Sequence, residues 1–169
     1  MSIYGESKLE GEGRVLEVSS QHLVVRLSWV FGPDKPSFID QIIQRAREND
    51  VVTAVADKFS APTYTIDVAS WLRLAIDKNA NGTLHLANNG GCSWQEWAQY
   101  AIDVCRSRGL PLKAERVGAV LLGDMKNFVA RRPVHTVLST AKFTALTGVQ
   151  PRHWREAVAE YINAHVSKK

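Results

Sequence analysis

His22-Leu23-Val24-Val25-Arg26-Leu27-Ser28-Trp29-Val30-Phe31 is a nearly continuous apolar, β-branched run. Gly32-Pro33-Asp34-Lys35-Pro36 breaks it. A strand buried on both faces of a parallel sheet reads in this way, because neither face has to meet water. Covering both faces requires helices on either side, so the run predicts an α/β fold. In open α/β sheets, ligands gather at the carboxyl ends of strands. Ser28, Trp29 and the turn after them are therefore candidate site residues, although Trp29 reads equally well as core.

The segments on either side keep the alternation. Ser37 suits an N-cap for a helix through Arg47, with Phe38, Ile39, Ile42, Ile43 and Ala46 at helical spacing. Val51–Ala56 reads as a short strand. Asp57–Tyr64 reads as a loop with polar and aromatic side chains. A helix opens at Thr65, with Val68, Ala69, Leu72 and Ile76 inward and Trp71 beside them; Asn79-Ala80-Asn81-Gly82 ends it. Thr83–Ala87 is another strand, in which His85 reads as a hydrogen-bonded strand residue. Ser93 with Glu96 fits a capping box for a helix to Arg108, whose Trp94, Trp97, Ala98, Ala101, Ile102 and Cys105 read as core. A short strand is expected within Glu115–Leu122, and an irregular stretch from Met125 to Val134 holds Arg131-Arg132-Pro133. A short helix from Ser139 to Gly148 follows. An amphipathic helix over Arg152–Val166 closes the chain, with Trp154, Ala157, Val158, Tyr161 and Ile162 inward.

Composition narrows the function. The chain has 169 residues, 45% hydrophobic and 22% charged, with a net charge of +4. That length supports one domain with a real core. The charge admits an anionic ligand such as a nucleotide, but no dense Lys/Arg block suggests a nucleic-acid surface. No apolar run approaches the ~20 residues that span a bilayer, and Met1-Ser2-Ile3 does not open a signal peptide. Cys92 and Cys105 lack metal-ligand spacing. They read as free thiols of a cytoplasmic protein, and no metal site is expected.

Ahead of the long strand lies Tyr4-Gly5-Glu6-Ser7-Lys8, at the start of a helix expected from Tyr4 to Val18. A tyrosine and a lysine four apart share one helical face. An ammonium near a phenol favours the phenolate and lowers the phenol's pKa. A phenol so tuned can act as a general acid near neutral pH. No glycine-rich GxGxxG turn follows any strand of the chain.

Four segments, YGESKLEGE, LVVRLSWVFG, DKFSAPT and ARRPVHTVLSTAKF, together resemble the dTDP-4-dehydrorhamnose reductase family of extended short-chain dehydrogenases/reductases, in order and spacing. The resemblance covers the whole chain and matches the family's C-terminal portion. It implies the C-terminal part of a Rossmann-like fold with the substrate-binding subdomain, lacking the N-terminal glycine-rich dinucleotide-binding half. Residues 1–50 would be the remainder of the Rossmann-like sheet, and 51–169 mostly the sugar-nucleotide subdomain. The resemblance makes Tyr4 the proton donor to the C4 ketone of a dTDP-keto-sugar. Lys8 would bind the nicotinamide ribose and tune Tyr4, and Ser28 would contact the cofactor, NADPH or NADH. Trp29, Lys58, Arg131 and Arg132 would bind substrate, an arginine clamping the diphosphate. The chain alone is then expected to have little activity, and to self-associate through an exposed sheet edge. A non-catalytic sugar-nucleotide-binding or regulatory subunit, and another epimerase or reductase of the superfamily, are the competing readings.

Overall fold

The computed structural model describes residues 3–125 and 132–167. The chain opens with helix α1 (Ile3–Val18). The long apolar run follows, but as two strands, β1 (Leu23–Leu27) and β2 (Val30–Phe31). Then come α2 (Phe38–Glu48), β3 (Val52–Val55), β4 (Phe59–Ser60), β5 (Thr63–Tyr64), α3 (Thr65–Asp77) and β6 (Gly82–Leu86). The remaining elements are β7 (Cys92–Ser93), α4 (Trp94–Ser107), β8 (Val117–Val120), a 3-10 turn at Leu122–Asp124, α5 (Ala141–Thr147) and α6 (Trp154–His165).

The strands pair in parallel, as α/β architecture requires: β1 with β6, β2 with β5 and β3 with β8. Among the described residues only the short β4–β7 pair is antiparallel. The expected single strand buried on both faces is corrected in two respects. It breaks at Ser28-Trp29, where Trp29 takes a φ of 29°, and no residue of β1 is fully buried. The apolar run was selected for burial, but β1 has β6 as its sole strand partner among the described residues. The helix before it, α1, buries no residue at all.

Three helices do the packing that their sequences specify. α2 turns Ile39, Ile42, Ile43 and Ala46 into the interior; α4 buries Trp97, Ala98, Ala101, Ile102 and Cys105; α6 buries Trp154, Ala157, Val158, Tyr161 and Ile162. Each large apolar side chain removed from water contributes roughly 1.5–3 kcal/mol. Caps fix where these helices start. Asp40 accepts from the Ser37 backbone N–H at 2.7 Å and from its hydroxyl at 2.8 Å. Glu96 accepts from the Ser93 N–H at 2.7 Å, while Ser93 Oγ accepts from the Glu96 N–H at 3.1 Å. Arg108 satisfies the far end of α6, donating to the Ile162, Asn163 and Val166 carbonyls.

A second layer forms where α3 and α5 cover β1 and β6, around Trp71, Ala75, Leu84, Leu86 and Phe143. Here the expected face of α3 is corrected: Ala69 and Ile76 are exposed, and Trp71 and Ala75 are the buried pair. Gly32 lets the turn after β2 run against the start of α3, since a Cβ there would lie 2.0 Å from Thr65 Oγ1. This close pass brings the carboxyl ends of β1 and β2 to the loop around β4 and β5.

Candidate functional site

Small polar side chains end up facing each other at those strand ends. Ser28 and Ser60 are both buried, and their hydroxyls lie 2.5 Å apart. Each also reaches the Thr136 carbonyl at 3.4 Å. The segment carrying Thr136 is pinned to β4: Phe59 N–H donates to Val134 O at 2.7 Å, and Thr136 N–H donates to Phe59 O at 2.9 Å. His135 stacks on the Phe59 ring with centroids 4.9 Å apart. Next to it, Lys58 is 5% exposed, and its ammonium donates to Pro133 O at 2.6 Å. Burial pushes the Lys58 pKa down, and the neighbouring Arg132 charge pushes it further the same way. Two cations held close by the fold suit a di-anionic ligand, which would relieve their mutual repulsion. Arg132 is exposed; Arg131 lies outside the described residues.

Trp29 O accepts from Thr63 N–H at 2.9 Å, which ties Trp29 to β5. Its ring lies 5.2 Å from Trp94 and is stacked at 5.5 Å on Trp97. Phe38 closes the group, 5.7 Å from Trp94 and 5.0 Å from Trp97. These rings border a cavity of 170 Å³ lined by Trp29, Val30, Ser37, Phe38, Trp94 and Trp97.

Tyr4 and Lys8 come together as their spacing requires, with the Lys8 ammonium 5.6 Å from the Tyr4 ring centroid. Both are exposed, Tyr4 at 73%. Their helix is held to β1 by Glu12, which binds Arg26 through both carboxylate oxygens at 2.6–3.0 Å. That pairing holds the Glu12 carboxyl below the usual carboxylate range. The structure thus assembles three groups: the Tyr4–Lys8 pair, the Ser28–Lys58–Arg132 loops, and the Trp29 cavity. Trp29 and Ser28 link the last two.

Sequence reasoning missed Ser60 and Thr136, and read Trp94 and Trp97 as plain core. The signal for Ser60 was weak: a small polar residue ending one strand, opposite another that follows the end of β1 32 positions earlier. The W-x-x-W spacing of Trp94 and Trp97 puts both rings on one helical face, but it does not say that a cavity opens there.

A parallel α/β layer with polar loops and an aromatic cavity at its strand ends is the substrate-binding part of an extended short-chain dehydrogenase/reductase fold. The family model described as the RmlD substrate binding domain matches residues 1–167, and the chain belongs to that family, the dTDP-4-dehydrorhamnose reductases. It is 31% identical over 166 residues to the spore coat polysaccharide biosynthesis protein SpsK of Bacillus subtilis, covering 98% of this chain and 56% of that protein. It is 28% identical over 164 residues to a dTDP-4-dehydrorhamnose reductase of Aggregatibacter actinomycetemcomitans, covering 94% of this chain and 55% of the relative. The crystal structure of a dTDP-4-dehydrorhamnose reductase from Bacillus anthracis in complex with NADP superposes with a TM-score of 0.83 at 28% identity. It covers 96% of this chain and 55% of that one. The chain therefore spans about half the length of the relatives it matches.

Proposed function

We propose that this chain supplies the substrate side and the proton-delivery pair of a dTDP-4-dehydrorhamnose reductase. The reaction reduces the C4 ketone of dTDP-4-dehydro-L-rhamnose to the alcohol of dTDP-L-rhamnose. The observation that carries this reading is the family match across residues 1–167 with Tyr4 and Lys8 one helical turn apart at its start. The Tyr4 phenol hands its proton to the carbonyl oxygen as negative charge develops there, and the Lys8 ammonium offsets the charge left on the tyrosyl oxygen. The Lys58 loop and the Arg131-Arg132 pair hold the diphosphate by charge, Arg132 bidentately.

NADPH or NADH supplies the hydride when bound. The residues present fit the nicotinamide-ribose end of that cofactor. Lys8 is an exposed cation beside the proton donor, suited to a ribose diol, and Ser28, bonded to Ser60, follows the carboxyl end of β1. A pyrophosphate is seated elsewhere by a glycine-rich turn at a helix N-terminus, and these 169 residues contain none. The chain by itself is accordingly proposed to turn over slowly or not at all. Mixing it with NADPH and dTDP-4-dehydro-L-rhamnose and following the absorbance of the reduced cofactor tests this. Turnover near that of a full-length relative would refute the reading of low activity.

A second reading, a sugar-nucleotide-binding unit without chemistry of its own, is supported by the burial of Lys58 beside Arg132. Calorimetry with dTDP separates the substrate assignments. Binding that Arg132→Ala leaves unchanged would remove Arg132 from the diphosphate site.

A further inference from the structure

A second cleft opens between α2 and the end of α6. It measures 200 Å³ and shares no residue with the cavity beside Trp29. That volume holds roughly six waters, or one small molecule. Arg47, half-buried on its wall, gives the cleft its chemistry. One part of the guanidinium is engaged: Nη2 donates to the Ser167 carbonyl at 2.5 Å. Its Nε–H is buried and, among the described residues, has no acceptor. A buried donor left unmet is costly, the more so on a charged group, and a native structure that keeps one calls for an explanation.

The acceptors nearby are already engaged. Asp40 also lines the cleft, but its Oδ1 accepts from Tyr161 O–H at 2.6 Å, and its Oδ2 accepts from Ser37 N–H and Oγ–H at 2.7 and 2.8 Å. The Ile162, Asn163 and Val166 carbonyls at the end of α6 accept from Arg108. Arg108 also brings a second positive charge. Burial pushes the Cys105 thiol up, and the Arg108 and Arg47 charges both pull it back, so the two cations lie near that one side chain. A guanidinium donor without an acceptor, with a second guanidinium close by, suits an anion. Part of the lining is apolar: Ile43 is buried and Val166 half-buried. The occupant therefore has an apolar end as well as a charged one.

We propose that this cleft binds a small carboxylate with a short aliphatic tail. The carboxylate accepts from Arg47 Nε–H, and the tail lies against Ile43 and Val166. Inorganic phosphate has no apolar end for that lining, and its second charge would face Asp40. The assignment is independent of the sugar-nucleotide reading above. It sets the occupant against Asp40, whose bonds to Ser37 start α2, and Ser37 and Phe38 line the cavity beside Trp29. Filling the second cleft thereby reaches the wall of the first.

Titrating the 169-residue chain with sodium butyrate tests it, with inorganic phosphate, butylammonium chloride and sodium chloride as comparisons at equal ionic strength. The Arg47 Nε–H nuclear magnetic resonance, identified by its loss in Arg47→Lys, shifts saturably with butyrate and not with butylammonium or chloride. The Ser37 and Phe38 amides shift with the same midpoint. Arg47→Lys keeps the charge and removes the Nε–H; by calorimetry it weakens butyrate by about 10-fold. Gln44→Trp, at an exposed position on the cleft, fills it and abolishes binding, and serves if Arg47→Lys does not fold, as judged by circular dichroism. A butyrate shift that does not saturate, an equal response to chloride, or a folded variant that binds butyrate within twofold of the parent would overturn the site. Phosphate binding more tightly than butyrate would overturn the carboxylate assignment. A saturable Arg47 shift with Ser37 and Phe38 unmoved would keep the site and overturn its link to the first cavity.

Discussion

Asn88 holds more of this molecule together than its size suggests. It is 2% exposed, and every polar atom of its amide is engaged. Its Oδ1 accepts from Tyr64 N–H at 2.9 Å, while Nδ2 donates to Asp67 at 2.7 Å and to Arg152 O at 3.4 Å. Asp67 in turn takes two bonds from the Arg152 guanidinium, each 2.8 Å, and Arg152 also pairs with Glu160. Asn88→Ala leaves the buried Tyr64 N–H unmet and removes one of the two bonds to Asp67 Oδ2, so it should destabilise the chain by about 2 kcal/mol, read as a lowered urea midpoint with an unchanged slope. Tyr4→Phe should do the opposite. At 73% exposure it moves stability by less than about 0.5 kcal/mol, yet in a full-length enzyme carrying the same substitution the proposed proton transfer should slow by roughly 10²–10⁴-fold. An unchanged kcat would remove Tyr4 from the chemistry. The two residues also differ in how far sequence exposes them. Tyr4 and Lys8 are four apart on one helix, so their meeting follows from helical geometry. Asn88 meets partners 21, 24 and 64 positions away, and within Asn88-Asn89-Gly90-Gly91 it reads as an ordinary turn residue.

α2 and α4 were legible because an apolar stripe and a capping residue, Ser37 and Ser93, agreed in each, and α6 was legible from its apolar stripe alone. All five inward positions expected for α6 are buried. α3 was legible as a helix but not in its facing. Its apolar residues nearly encircle it, and the bulk of Trp71 packing near Phe143, centroids 6.1 Å apart, decided the side. β1 was legible as a parallel strand but not in its burial, which depends on neighbours that no local pattern reports. α1 is the element least held by packing, with no buried residue and two interior glycines. A Cβ at Gly11 or Gly13 would meet nothing within 4 Å. Replacing either by alanine removes backbone freedom from the unfolded chain without a clash, so each should stabilise the helix by about 0.5–1 kcal/mol. Slower amide exchange across Ile3–Val18 in G11A/G13A is the expected readout. Faster exchange or a lower Tm would mean that a surface packs against those glycines.

Two properties belong to the chain as a whole. The first is its response to alkali. Burial pushes the Cys92 thiol up to about 12, helped by the nearby Glu96 charge, and pushes Cys105 up to about 11. Unfolded thiols titrate near 8.5, so the folded state holds its protons to higher pH than the unfolded one. The stability this gives is complete below about 8.5 and is lost as pH rises through 11 to 12. Unfolding free energy from urea titrations should therefore be insensitive to these thiols near neutrality and fall across that alkaline window, less steeply in Cys105→Ala. The second property is association. Among the described residues β1 pairs only with β6, so one edge of β1 carries open backbone donors and acceptors. Leu27 at its end is 44% exposed, and Ile3, Leu9, Val15 and Val18 on α1 are exposed beside it. Open strand edges recruit strands, and exposed apolar patches recruit one another. The chain should accordingly show a sedimentation coefficient that rises with concentration. Charge at the edge opposes pairing, so Val18→Lys with Leu27→Lys should return it to the monomer value while leaving the far-UV spectrum intact. A compact monomer at every concentration would mean that the β1 edge is already protected within the single chain.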